Sequence, residues 1–162
     1  MFHRHLFGYN YIQFNFLENK YKHMKTLKED FFDNIGIGEE SQIRDWLESH
    51  KIQNYTLNND LNIDVDGNVR LNGYKEKQLP DYIKFRKVTG SFYIISCDEL
   101  KSLEGCPKEV GGNFDCSDCP KLTSLKGAPK EVGGNFYCWG CGKQFTKNSV
   151  KKVNVKGTIN TK

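Results

Sequence analysis

The sequence predicts a mostly β fold with a small α N-terminal cap: a parallel β-solenoid whose repeat is about 22 residues. Three observations predict it. The run KEVGGNF occurs twice, at 108–114 and 130–136, inside two longer matching stretches, 102–123 and 124–146. A divergent copy lies one repeat upstream, where Val88, Gly90, Phe92, Ile94, Cys97, Leu100 and Leu103 each precede an equivalent residue by 22. Fainter copies flank these: Val65, Gly67, Val69 and Leu71 sit 23 before Val88, Gly90, Phe92 and Ile94, and Val155, Gly157 and Ile159 sit 23 after Val132, Gly134 and Phe136. Decay toward both ends is what a stack requires, because its terminal units face water and must be capped.

The elements follow in chain order. Residues 1–23 hold seven aromatics, His3, His5 and His23, and no periodicity, and read as an extension or mobile arm. Met24 opens a more ordinary stretch, so a translation start there is one reading of the arm. Residues 24–62 read as a helical N-terminal cap. A short helix over 25–33 is ended by Gly36 and Gly38. A second over 40–52 starts at Ser41 as N-cap and turns Ile43, Trp46, Leu47 and His50 to one face. Residues 63–162 read as the solenoid, with a basic C-terminal end. Asp66-Gly67 is a turn pair into the first rung. The surrounding Asn62, Asp64 and Asp66 mimic the start of a calcium loop, but Gly73 stands where the closing Glu belongs.

Each full unit carries Phe-x-Cys-x-x-Cys-x-x-Leu-x-x-Leu as its inward pattern. Alternation at Phe114 and Cys116 is a short half-buried strand. Cys119 lies where the chain leaves it, Leu122 and Leu125 point back inward, and Gly133-Gly134 opens the next strand. In the last unit Gln144 replaces the expected leucine and Phe145 follows it, a loss of register near the end. The pattern resembles the leucine-rich repeat, L-x-x-L-x-L-x-x-N/C-x-L over about 20–29 residues. The phrase SLEGCPKEVGGNF and the lead-in WLESHKIQNYTLNNDLNIDVDGNVRL resemble short leucine-rich-repeat-like proteins of bacteriophages and bacterial mobile elements, over roughly 63–159. The resemblance implies a leucine-rich-repeat-like solenoid and a phage origin, and carries no mechanism.

Four of the six cysteines, Cys116, Cys119, Cys138 and Cys141, form C-x2-C-x18-C-x2-C, a zinc-ribbon spacing. The repeat accounts for the same spacing. Cys119 and Cys141 occupy the position of Cys97, and Cys116 and Cys138 that of Ile94, so duplicating one unit generates the motif. An isoleucine at one of these positions marks it as apolar core, where a free cysteine behaves as a small hydrophobe. The expectation is therefore no metal, with zinc on these four thiols as the alternative. Disulfides between rungs are disfavoured, because parallel strands lie about 4.8 Å apart and bridged Cβ atoms about 3.8 Å.

Composition sets the function classes. The net charge is +4, and 21 aromatics (11 Phe, 8 Tyr and 2 Trp) exclude a chain disordered throughout. No apolar run approaches the roughly 18–20 residues of a membrane span, and the N-terminus lacks a signal-peptide core, so a reducing cytoplasm is expected, that of a bacterial host if the chain is phage-encoded. None of the four histidines lies in the repeats, no phosphate loop or nucleophile elbow occurs, and a non-enzyme is expected. From Gly142 onward there are six lysines and no acid. That end reads as a solvated guard against strand pairing more than as a nucleic-acid contact.

The candidate site is the strand face, where solenoids align exposed side chains. Its outward rows are Ser91, Asn113 and Asn135, then Tyr93, Asp115 and Tyr137, then Ile95, Ser117 and Trp139. Tyr93, Ile95, Asp115, Tyr137 and Trp139 are the expected contacts with a protein partner, because Tyr and Trp are the common anchors of interfaces. The function expected is a non-enzymatic protein-interaction module directed at a host protein. The alternative is a small zinc-binding protein with a basic nucleic-acid-binding tail.

Overall fold

The structure is a computed structural model and describes residues 37–162. The expectations for residues 1–36, namely the arm, the Met24 start and the helix over 25–33, lie outside the described residues. A division at Gln42/Ile43 separates two units. Of the first, only residues 37–42 are described, as the opening turns of helix α1 (Ile37–Ser49). The helix starts earlier than expected, so Ser41 lies within it rather than capping it. Glu39 and Glu40 fall in its first turn, where acidic side chains suit the positive end of the helix dipole.

From Ile43 onward the fold is a parallel β-solenoid. Five rungs follow one another, each made of two short strands: β2 (Ile63–Val65) and β3 (Val69–Arg70), β4 (Phe85–Val88) and β5 (Phe92–Tyr93), β6 (Glu109–Val110) and β7 (Phe114–Asp115), β8 (Glu131–Val132) and β9 (Phe136–Tyr137), β10 (Asn154–Val155) and β11 (Ile159–Asn160). β1 (Tyr55–Leu57) precedes them and pairs antiparallel with β2. One sheet runs β1-β2-β4-β6-β8-β10 and the other β3-β5-β7-β9-β11. The register is the one set by the repeat offset: Val65 on Val88, Val69 on Phe92, Phe92 on Phe114, Phe114 on Phe136, Val132 on Val155, and Phe136 on Ile159.

Two strands per turn correct the expectation of one. The Gly-Gly pair does not open a strand; it is the corner between two. A Cβ at Gly111 would stand 2.1 Å from the Thr89 carbonyl oxygen, and one at Gly133 2.2 Å from that of Gly111. Successive rungs touch backbone to backbone at this corner, which admits only glycine. The next residue seals it. The Oδ1 atoms of Asn68, Asn113 and Asn135 and the Oγ of Ser91 each accept the backbone N–H of the equivalent residue one rung on, at 2.7–2.9 Å.

Inside, Phe85, Phe92, Phe114 and Phe136 form a continuous ring stack with centroids 5.1–5.8 Å apart. Each is almost wholly buried. In-register repetition places the same large ring on three successive rungs, Phe92, Phe114 and Phe136, with Phe85 of β4 extending the stack, and contact between them adds to the area that each buries. Ile43, Trp46 and Leu47 join this core. Trp46 meets Phe85 and Tyr74 edge-on, both at 6.3 Å, so this part of the helix covers the first rungs as expected. At the far end Gln144 is exposed and Phe145 is buried in its place. Val150, at the end of a 3-10 turn over Lys147–Val150, fills the core below it.

The long exits from each rung are pinned by one residue in the left-handed region: Gly73, Ser96, Asp118 and Gly140, with φ of 68°, 56°, 55° and 64°. Ion pairs bridge rungs outside. Asp64–Arg86, Glu99–Lys121 and Glu104–Lys126 each span one repeat. All are solvated, so each contributes little to stability.

Candidate functional site

The second sheet lays the candidate residues out in order. Because register is exact across β3, β5, β7, β9 and β11, one outward row runs Arg70, Tyr93, Asp115, Tyr137, Asn160. Neighbours in the row are about 4.8 Å apart. Tyr93, Asp115 and Tyr137 are half-buried, as expected of side chains standing on a sheet beside others. The Arg70 guanidinium lies 5.2 Å from the Tyr93 ring centre, a cation–π contact. The Tyr137 hydroxyl oxygen accepts a hydrogen bond from Asn135 Nδ2 at 2.9 Å. Asp115 Oδ1 accepts the Ser117 N–H at 3.0 Å. Asp115 stands between the two tyrosines, so these do not form a ladder with each other.

The next row departs from expectation at its centre. Ile95 is half-buried and Trp139, 39% exposed, is the most exposed large apolar side chain among the described residues. Ser117 is fully buried, not outward, and its Oγ has no hydrogen-bond partner. Its backbone is bonded to Ser96 on one side and its neighbour Asp118 to Trp139 on the other. A small residue thus sits in the slot between two large ones, Ile95 and Trp139, on adjacent rungs. The first row, Ser91, Asn113 and Asn135, is half-buried and spent on the corner hydrogen bonds described above.

Two members of the face, Arg70 and Asn160, were not read from the sequence. The signal was present: Val69 sits 23 before Phe92 and Ile159 sits 23 after Phe136, so their next neighbours fall in the row of Tyr93 and Tyr137.

The cysteines form the two ladders that the repeat implies. Cys97, Cys119 and Cys141 occupy the exit of the strand. Their thiols donate to the carbonyls of Leu71, Ile94 and Cys116 on the preceding rung, at 3.3–3.5 Å. The thiol thus meets the equivalent carbonyl each time, where the sheet ends; that of Leu71 also accepts the Tyr74 N–H. All six cysteines are unbridged. Among the described residues no group of three or more His, Cys, Asp or Glu is arranged to hold a metal ion.

Burial governs the acidity of Cys106 and Cys138, while contact between paired thiols comes first at the others and lowers Cys97 and Cys141. Burial pushes Cys138 up to about 12 and Cys106 well above its ordinary value. The neighbouring Cys141 thiol, then burial, raises Cys116, and the neighbouring Cys97 thiol, then burial, raises Cys119. A thiol whose folded pKa is raised stays protonated in the fold while the unfolded chain ionises. Stability is thus full below the ordinary value of 9.0 and falls as pH rises from there toward about 12. The expected result is a melting temperature that drops steadily above pH 9, with Cys138→Ala reducing the slope. The same burial is expected to shield these thiols from alkylation until the chain unfolds.

The C-terminal lysines, Lys143, Lys147, Lys151, Lys152, Lys156 and Lys162, are all exposed. No helix among the described residues is long and apolar enough to cross a membrane. Comparison with protein-family models, with curated proteins and with solved structures finds no match to this chain.

Proposed function

We propose that this chain is a non-enzymatic protein-interaction module that engages its partner with the outer face of the second sheet. The observation that carries the reading is the in-register row Arg70, Tyr93, Asp115, Tyr137 and Asn160, flanked by the exposed Trp139. Interface cores favour Tyr, Trp and Arg, whose rigid rings and planar cation bring large contact area at low entropic cost. The solenoid core needs none of them on that side, since the Phe stack is complete within.

The likeness of the repeat phrase to phage and mobile-element proteins supports a host protein as partner, met in the bacterial cytoplasm. Six unbridged cysteines fit such a reducing compartment. Of the four thiols of the zinc alternative, those of Cys116, Cys119 and Cys141 each donate to a backbone carbonyl, which favours the core-ladder reading.

The test is proximity crosslinking in the producing cell with the wild-type chain and with a Tyr93→Ser, Tyr137→Ser, Trp139→Ser triple variant. The expected result is one crosslinked protein whose recovery falls at least tenfold with the variant, at an unchanged melting temperature. Equal recovery of every crosslinked protein by both chains would remove this face from the interface.

A further inference from the structure

We infer that the cavity between the end of α1 and the exit of β3 is a binding site for a small planar aromatic anion. The cavity has a volume of about 550 Å³, within the size range of small-molecule sites. Its wall is aromatic. The Trp46 and His50 rings stack with centroids 4.0 Å apart and planes 27° from parallel. Tyr74 meets Trp46 edge-on at 6.3 Å and stands tilted against His50 at 5.7 Å. Trp46 and Tyr74 are buried, and His50 is the half-buried member. A flat ring placed against His50 continues a stack that the protein has already begun.

The His50 ring is also fixed in orientation and tautomer. Its Nδ1 lies 2.8 Å from the Trp46 carbonyl oxygen and 3.0 Å from Ser49 Oγ; the carbonyl can only accept, so in the neutral ring this contact places the proton on Nδ1. Nε2 is left to accept a hydrogen bond from a ligand. Burial, with Glu76 adding to it, raises Tyr74 to about 12, so its hydroxyl stays neutral and donates to the Gln78 carbonyl.

Charge selects the anion. The lining includes two cations, Arg70 and Lys75, against one acid, Glu76. Arg70 rests on the Tyr93 ring and makes no ion pair with a carboxylate among the described residues. A guanidinium held by an aromatic face, with its fork unpaired, is suited to a carboxylate or phosphate group. The site shares Arg70 with the strand face, but it is a separate proposal and does not rest on that reading.

The test uses the full chain carrying Trp139→Phe, which leaves Trp46 as the one tryptophan of the two in the sequence. Adenosine 5′-monophosphate and 4-hydroxyphenylacetate are titrated in low salt, with adenosine and 4-hydroxyphenylacetamide as neutral counterparts. Trp46 fluorescence and titration calorimetry report binding. Saturable binding of at least one anion is expected, about tenfold or more tighter than its neutral counterpart. Arg70→Gln is expected to weaken it about tenfold, with Lys75→Gln as a second variant if the first fails to fold. Tyr137→Ser, on the strand face, is expected to leave it within twofold. Preference between the two anions separates a phosphate from a carboxylate ligand. No saturation by either anion, equal binding of the neutral compounds, or indifference to the loss of both cations would overturn the proposal.

Discussion

Phe114→Ala is expected to destabilise the protein by about 3–5 kcal/mol, the range for emptying a fully buried phenylalanine site. Phe114 is fully buried and touches Phe92 at 5.8 Å and Phe136 at 5.1 Å. It is therefore the central link of the ring stack. A solenoid is stabilised by contacts between neighbouring rungs and has no second core to fall back on. The loss is a large share of the roughly 5–15 kcal/mol available to a domain. Urea unfolding followed by circular dichroism checks it, and is expected to show a much lower midpoint. Phe114→Leu, which refills most of the volume, is expected to recover more than half of the loss. An alanine variant within about 1 kcal/mol of the parent would mean that the rungs are not held by this stack.

Gly127→Ala is expected to cost about 3 kcal/mol or more, from two additive causes. Gly127 has φ of +86°, and a Cβ there would stand 2.4 Å from the Leu103 backbone. Left-handed backbone costs an alanine about 1–2 kcal/mol, and forcing an atom into packed backbone about 1–3 kcal/mol. Gly140 is the informative control. Its φ is +64°, and its nearest atom is Asp118 Oδ1, the end of a side chain that can move. Equivalent positions one and two rungs earlier carry Asp118 and Ser96 in the same conformation. Gly140→Asn is therefore expected to cost under about 1 kcal/mol, because asparagine tolerates this region well. Thermal melts of the two variants check the contrast. Equal losses would show that backbone conformation alone, rather than the close approach of rungs, sets the requirement for glycine.

Much of this architecture is legible in the sequence because a stacked repeat is one physical problem solved several times. The offset between Phe92, Phe114 and Phe136 fixes which residues are neighbours, since parallel in-register pairing sets like on like. It also resolves the cysteine motif. Cys97, Cys119 and Cys141 recur because each meets the equivalent carbonyl of the preceding rung, and a zinc-ribbon spacing arises as a by-product. The decayed flanking copies, Val65 to Leu71 and Val155 to Ile159, were readable for the same reason.

Other features depend on what lies between rungs. The first strand of the two clearest repeats, Glu109–Val110 and Glu131–Val132, is too short to show alternation, and only hydrogen bonding to its equivalents defines it. Ser117 reads as outward by parity, yet it is fully buried, with the larger Ile95 and Trp139 at the equivalent positions of the neighbouring rungs. Asn113 and Asn135 read as a polar face, yet their side chains close the corner of the next turn. The aromatic cavity joins Trp46 and His50 to Arg70 and Tyr74, residues twenty or more positions apart with no repeat relating them. The repeat, its register and the identity of the core ladders are readable from residue spacing, because like residues stack on like. Which polar side chains are consumed in holding rungs together and which stay exposed emerges only in the folded stack, because that depends on the size and hydrogen-bonding of neighbours one turn away.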